Sequence, residues 1–254
     1  MISKLEVSKV SYSYHSLEGE TLALSNISFN VSEGEFAAIV GPSGCGKSTL
    51  LSLLCGLTEP EEGSISIDGI PLSQSSAAIG YMLQKDHLFE WRSIFSNAAL
   101  GLEIQKRLDE PARRELLEMM AAYGLAGFEY ARPSGLSGGM RQRAALIRTL
   151  ALKPDLFFLD EPFSALDYQT RLSVCDDISS IIRKTKKTAI LVTHDLSEAI
   201  SVADRIIVLT PRPGRVGAVL PIAFPGDIKR PLDRRNCPEF STYFNAVWRE
   251  LKCL

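Results

Sequence analysis

One stretch constrains this chain more than any other: Gly41-Pro42-Ser43-Gly44-Cys45-Gly46-Lys47-Ser48-Thr49. It fits G-x-x-x-x-G-K-[ST], a pattern whose glycines let the backbone wrap its N–H groups round an anion. Such a loop belongs between a strand and a helix, and its neighbours supply both. Phe36-Ala37-Ala38-Ile39-Val40 is an apolar run of strand length, and Leu50-Leu51-Ser52-Leu53-Leu54 continues with helical character. A helix beginning near Lys47 adds the positive end of its dipole. The stretch therefore predicts an ATP site in an α/β fold. Lys47 is expected to reach the β- and γ-phosphates and the Ser48 hydroxyl to ligate Mg²⁺, with the whole loop from Gly41 to Thr49 cradling the phosphates.

Two carboxylates stand where a second buried strand would leave the same sheet. Asp155-Leu156-Phe157-Phe158-Leu159 runs straight into Asp160-Glu161. Successive strand residues face opposite ways, so the pair should divide its work: Asp160 in the Mg²⁺ shell, Glu161 orienting or deprotonating the attacking water. Thr188-Ala189-Ile190-Leu191-Val192-Thr193 is a further buried run and ends in His194, which by that position is expected to contact the γ-phosphate. Gln84 follows the run Ile79-Gly80-Tyr81-Met82-Leu83, again at a strand end where α/β sheets carry ligand-binding residues. Leu136-Ser137-Gly138-Gly139 precedes strong helix formers over residues 144–152. Ser137 reads as the N-cap, and two glycines at a helix start expose N–H groups that could hold a second anion. A capped helix with no ligand is the other reading of the same residues.

Residues 3–10, 22–31 and 63–69 alternate apolar and polar side chains and predict half-buried, antiparallel strands. Between the first two, Tyr12 and Tyr14 put aromatic rings upstream of the phosphate loop. We expect Tyr14 to stack on adenine, since a π-face is all that stacking asks, and Tyr12 to be an ordinary strand residue. After Gln84, Leu88, Phe89 and Trp91 crowd apolar bulk into a polar loop, as a satellite core or as a docking surface for another chain. Residues 111–123 read as a helix opened by Pro111 and stopped by Gly124. No convincing strand occurs over about 93–152, which predicts a helical insertion in the α/β sheet. Helices over about 168–184 and 197–203, a last sheet strand at 205–209, a turn at Pro211-Arg212-Pro213-Gly214-Arg215 and an amphipathic helix over about 238–252 complete the chain.

Composition narrows the partners. A chain of 254 residues with 45% hydrophobic and 23% charged side chains can bury a large core, as one large domain or two small ones. No apolar run approaches the roughly 18 residues that span a bilayer, and the first residues lack a secretory apolar region, which predicts a cytosolic chain. A net charge of −2 gives no electrostatic case for nucleic acid. Cys45, Cys55, Cys175, Cys237 and Cys253 are odd in number and form no Cys-x-x-Cys pair, so free thiols are expected.

Taken together, these motifs resemble the ATPase subunits of ABC transporters over nearly the whole chain. In that family's terms residues 41–49 look like the Walker A loop, Gln84 the Q-loop, Leu136-Ser137-Gly138-Gly139 the signature, and residues 156–161 the Walker B strand. Ser164-Ala165-Leu166-Asp167 is similar to the D-loop and His194 to the switch histidine. Met140-Arg141-Gln142-Arg143 after the signature, Glu90-Trp91-Arg92 and the turn 211–215 resemble the nitrate, sulfonate and taurine branch of bacterial importers. That branch also includes importers of bicarbonate and of thiamine-precursor pyrimidines, so the solute stays open. The resemblance implies a P-loop NTPase core with an antiparallel β subdomain and an inserted α-helical subdomain. It implies ATP and Mg²⁺ as cofactors, and an ATP-dependent head-to-tail homodimer in which each nucleotide lies between one chain's phosphate loop and the other's signature, with Asp167 near by. It also implies membrane permease partners, an external solute-binding protein, and a peripheral place on the cytoplasmic face of the membrane. No added C-terminal regulatory domain is expected, since few residues follow the last predicted strand.

Overall fold

The computed structural model describes residues 3–17, 19–164, 166–226, 228 and 230–253. The chain opens with β1 (Ser3–Ser16), β2 (Gly19–Ser32) and β3 (Phe36–Val40), then α1 (Lys47–Leu54), β4 (Glu62–Ile67), β5 (Ile70–Pro71) and β6 (Ile79–Met82). α2 (Ile94–Ile104), α3 (Glu110–Ala122) and α4 (Gly138–Leu150) follow with no strand among them. The rest runs β7 (Leu156–Asp160), α5 (Tyr168–Thr185), β8 (Thr188–Val192), α6 (Leu196–Val202), β9 (Arg205–Leu209), β10 (Val216–Pro221), α7 (Pro231–Arg235) and α8 (Pro238–Lys252).

Two sheets result. One is antiparallel, in the order β2-β1-β4-β5; the other has the order β10-β9-β3-β8-β7-β6 and is parallel except for β10. β3 and β8 are buried at every position, which explains why their sequences are unbroken apolar runs: both faces of a parallel sheet are covered. The pleat sends alternate residues of β3 to opposite faces. Phe36, Ala38 and Val40 join a core with Val174, Ile178 and Ala199, whereas Ala37 and Ile39 join another with Leu5, Ile27, Leu50 and Leu53. One face of the parallel sheet is thus covered by α5 and α6, and the other by α1 and the antiparallel sheet. A third, all-helical core gathers Ile94, Phe95, Ala98, Leu116, Met120, Ala144 and Ile147 from α2, α3 and α4. The expected P-loop core, antiparallel layer and helical insertion are all present.

Several boundaries differ from the sequence expectation. β1 continues through Tyr12 and Tyr14 to Ser16 instead of stopping near residue 10. Register slips between Val7 and Val10 and again between Val10 and Tyr12, and Lys9 takes φ 51°, so bulges break the alternation that would have revealed the strand's length. β9 is not the last strand, because β10 pairs antiparallel with it. β10 is buried at no position along VGAVLP, as suits an edge strand. The apolar trio after Gln84 divides: Leu88 is 7% exposed and belongs to the helical core, while Phe89 and the 72% exposed Trp91 pack against each other at the surface. All five cysteines are free thiols.

Candidate active site

The parallel order β9-β3-β8-β7-β6 brings five carboxyl ends to one edge, the edge where open α/β sheets bind ligands. The phosphate loop leaves β3 there and enters α1. Gly46 is the N-cap of α1 with φ 101°, and no side chain caps the helix, so its first N–H groups are left for another acceptor. A Cβ on Gly46 would also meet Leu24 Cδ2 at 2.6 Å, and one on Gly41 would meet Cys45 Sγ at 2.7 Å. A larger residue would crowd the core at either place, and at Gly46 it would also be strained by the positive φ. Cys45 itself faces inward, fully buried in the core with its thiol pKa raised by burial, and contributes backbone to the loop. The Lys47 ammonium turns back on its own loop and donates to Gly41 O at 2.8 Å and Pro42 O at 2.9 Å.

Tyr14, Ala23, Ser43, Gly44, Gly46, Lys47, Ser48, Thr49, Glu161 and Arg212 line a cavity of about 290 Å³ on this loop. Tyr14 is half exposed, with its hydroxyl 2.9 Å from Thr49 Oγ1, whereas Tyr12 meets it edge-on and packs against the core. The ring singled out from the sequence is therefore the one at the cavity.

The two carboxylates after β7 have separate surroundings. Asp160 ends the strand and accepts from Tyr81 Oη at 3.2 Å; burial, reinforced by the charge of Glu161, pushes its carboxyl above the ordinary range. Glu161 is already outside the strand, in the left-handed region at φ 43°. Its backbone N–H donates to Val192 O at 2.8 Å, and its side chain swings toward the ends of β6 and β8. There Gln84 Nε2 donates to Glu161 Oε2 at 3.1 Å, and His194 Nδ1 lies 2.9 Å from Glu161 Oε1. Gln84 Nε2 also reaches Ser164 Oγ at 3.3 Å. The structure thus assembles Gln84, Glu161 and His194 into one cluster and connects it to the phosphate cavity through Glu161.

Ser137, Gly138 and Gly139 start α4 as expected, with Ser137 as N-cap, but none of them lines that cavity. The Ser137 hydroxyl accepts from Met140 N at 3.4 Å, a long bond. Gly139 lies against α5, where a Cβ would come within 2.7 Å of Thr170 Cγ2. Arg141, one turn into α4, pairs with Asp86 at 2.8 Å and Glu90 at 3.1 Å and so ties this helix to the loop after Gln84. Burial would raise the Asp86 carboxyl, yet the Arg141 guanidinium and the Leu88 N–H outweigh it and hold it low. Asp167 caps α5 by accepting from Thr170 N at 3.1 Å. Ala165, in the same expected loop, lies outside the described residues.

Arg212 was not singled out from the sequence as a site residue. It belongs to the turn after β9, and the one signal that could have found it is the placement of that turn at the carboxyl end of a parallel strand.

A glycine-rich loop between a parallel strand and an uncapped helix, with carboxylates at a neighbouring strand end, defines a P-loop ATPase. Comparison with known proteins makes the class narrower. The ABC transporter family profile matches residues 24–164. The chain is 45% identical over 253 residues to the uncharacterized ABC transporter ATP-binding protein YtlC of Bacillus subtilis (strain 168), covering 100% of this chain and 97% of that one. It is 42% identical over 202 residues to the taurine import ATP-binding protein TauB of Yersinia pestis bv. Antiqua (strain Antiqua), 80% of this chain and 79% of the relative. It is also 42% identical over 220 residues to the aliphatic sulfonates import ATP-binding protein SsuB 2 of Burkholderia cenocepacia (strain HI2424), 87% of this chain and 78% of the relative. Among solved structures, the ATP-binding cassette MJ0796, as a dimer in a post-hydrolysis state with ADP and Pi, matches with a TM-score of 0.75 at 31% identity, over 87% of this chain and 99% of that one. The chain belongs to the ABC transporter family and is one of its ATP-hydrolysing cassettes. Among the described residues, no helix is long and apolar enough to cross a membrane.

Proposed function

We propose that this cassette is the ATP-hydrolysing motor of a membrane importer for nitrate, taurine, a sulfonate or a related small solute. The observation that carries the solute class is the 42% identity to importer subunits whose names specify taurine and aliphatic sulfonates. In this reading adenine stacks on Tyr14 while Lys47 exchanges the Gly41 and Pro42 carbonyls for phosphate oxygens. Ser48 and Asp160 offer a hydroxyl and a carboxylate oxygen, the hard donors Mg²⁺ takes, and Gln84 would join them through its amide oxygen. The ion would supply charge neutralisation at the β- and γ-phosphates. Glu161 takes the proton of the attacking water, and Gln84 and His194 hold its carboxylate in place until the γ-phosphate draws His194 to itself.

The remaining half of the site comes from a second copy. Its Ser137, Gly138 and Gly139 start the helix that faces the γ-phosphate, with Asp167 beside them, which gives an ATP-dependent homodimer. The paired rings of Phe89 and Trp91 form the docking point for a helix of a permease subunit, at the cytoplasmic face of the membrane, and the assembled system includes an external solute-binding protein.

The test compares the parent with Glu161→Gln. The amide keeps the shape of the carboxylate and one acceptor oxygen but loses the base, so steady-state hydrolysis should fall by roughly 10²–10⁴-fold while Mg-ATP binding persists and dimers accumulate. Hydrolysis near the parent rate would remove Glu161 from the role of base. The transport reading is tested by co-purification from membranes. Trp91→Ala should weaken recovery with the permease more than it weakens ATP binding, and a Trp91→Ala protein that pulls down permease as well as the parent does would refute the docking point.

A further inference from the structure

The turn after β9 is fastened to the phosphate loop itself. Gly214 N donates to Ala23 O and Ser25 N donates to Gly214 O, both at 2.9 Å, joining the turn to β2. Gly214 is buried, and a Cβ there would fall 2.2 Å from the carbonyl oxygen of Cys45, so the turn's backbone rests directly on the loop. Thr210 closes the turn from the other side: its N–H donates to Arg215 O at 2.9 Å, and its hydroxyl accepts from Arg215 N at 3.0 Å. Arg212 projects from this clamped turn and lines the same cavity as Ser43, Gly44, Lys47 and Glu161.

The two cations at that cavity differ in one respect. The Lys47 ammonium is held by two carbonyls, whereas the exposed Arg212 guanidinium has no hydrogen-bond or ion-pair partner among the described residues. A guanidinium carries five N–H donors in a planar fork that matches phosphate oxygens. The fixed turn sets its backbone beside the anion-binding loop, so that only the side chain has to be ordered when a ligand is met.

We propose that Arg212 binds the phosphate chain of the nucleotide held by its own chain's loop, as a second cation beside Lys47. This rests on the reading of the cavity as the ATP site. It makes the turn after β9 part of that site, and gives the Pro-Arg-Pro-Gly-Arg sequence a task beyond turning the chain.

The experiment measures equilibrium binding of a ribose-labelled fluorescent ATP analogue, with displacement by unlabelled Mg-ATP, for the parent, Arg212→Ala, Arg212→Lys, Arg212→Glu and Lys47→Ala, with melting temperatures alongside. A charge-assisted contact in a cavity open to solvent should make Arg212→Ala roughly 10-fold weaker for Mg-ATP. Arg212→Glu should be weaker still, Arg212→Lys should keep most of the affinity, and the melting temperatures should stay with the parent's. The log-affinity against log-salt slope should be shallower in Arg212→Ala, because one cation fewer meets phosphate. Affinity for Arg212→Ala within twofold of the parent, or equal losses in Arg212→Ala and Arg212→Glu, overturns the proposal. So does a defect confined to dimer formation, which would assign the guanidinium to the second copy. Lys47→Ala separates the site from the role of Arg212: if it binds as the parent does, the cavity is not the ATP site; if it fails while Arg212→Ala binds normally, the cavity is the ATP site and Arg212 has no part in it.

Discussion

The chain carries two helix starts rich in glycine, and they are built differently. α1 begins at Gly46 in a left-handed conformation, with no side-chain cap and a loop bent back by Gly44 at φ 76°. α4 begins at Ser137, in extended backbone with its own hydroxyl as cap, and neither Gly138 nor Gly139 has a positive φ. Glycine in the first serves a conformation and leaves the helix's first N–H groups open to an anion. In the second it serves close packing: Gly138 approaches Leu166, and Gly139 approaches Thr170 and Val174 of α5. A ligand-binding loop lacks a protein cap because its ligand completes it. A self-capped helix start can fold alone and offer its remaining N–H groups to a partner that arrives later.

The strongest way to break this contrast is Ser137→Arg. It removes the cap, puts a bulky cation at the helix start, and leaves the phosphate loop untouched. Hydrolysis and dimerisation should collapse, by roughly 10²-fold or more if one anion-stabilising element is lost, while the monomer binds Mg-ATP as the parent does. Mixing with Lys47→Ala should restore activity above either variant alone, because mixed dimers have one site with both lesions and one with neither. A folded Ser137→Arg monomer that no longer binds ATP would mean that both starts serve the same chain's nucleotide.

A smaller effect separates the two uses of glycine. Gly46→Ala forces a side chain into φ 101° and against Leu24, and should cost about 2 kcal/mol together with ATP affinity. Gly139→Ala should cost about 1–2 kcal/mol by crowding alone. Thr170→Ser, which deletes the methyl that the new Cβ meets at 2.7 Å, should recover most of that loss in thermal melts and none of the loss from Gly46→Ala. Equal rescue of both, or rescue of neither, would remove the distinction.

The contrast also explains what could be read without coordinates. The glycine-rich loop after β3 was legible because its residue types stand at a fixed spacing, and β3, β7 and β8 because burial on both faces writes itself as an apolar run. Lys9 hid the far half of β1, since a bulge shifts the alternation by one residue. β10 stands directly behind a Pro- and Gly-rich turn and contains a glycine and a proline of its own, and the five-residue α7 is too short for periodicity. Leu88 and Trp91 looked alike in sequence, and only the packing of α2 and α4 decides that one is core and the other surface. Arg212 sat in a turn that resembled a branch feature and nothing more; its place at the cavity follows from the neighbourhood of β9 and β3, which is a property of strand order.

Ser137→Ala removes only the cap hydroxyl, and the cap is weak: its oxygen lies 3.4 Å from Met140 N. The loss in stability should sit at the low end of the usual range, about 0.5 kcal/mol. Asp195→Ala provides the scale within the same protein. That carboxylate caps α6 with bonds of 2.8 Å from Ser197 N and 3.2 Å from Glu198 N, and also pairs with Arg171, so its removal should cost about 2 kcal/mol. If Ser137 is retained for its own helix, Ser137→Ala should lower the melting temperature and leave ATP-dependent dimerisation alone. If it is kept for a phosphate held by the second copy, the melting temperature should barely move while the concentration of Mg-ATP needed to form dimers rises several-fold. The long hydrogen bond favours the second outcome, because a hydroxyl only loosely engaged by its own backbone is free to turn toward an incoming oxyanion. Unchanged dimerisation together with a drop in stability as large as that of Asp195→Ala would make α4 an ordinary capped helix.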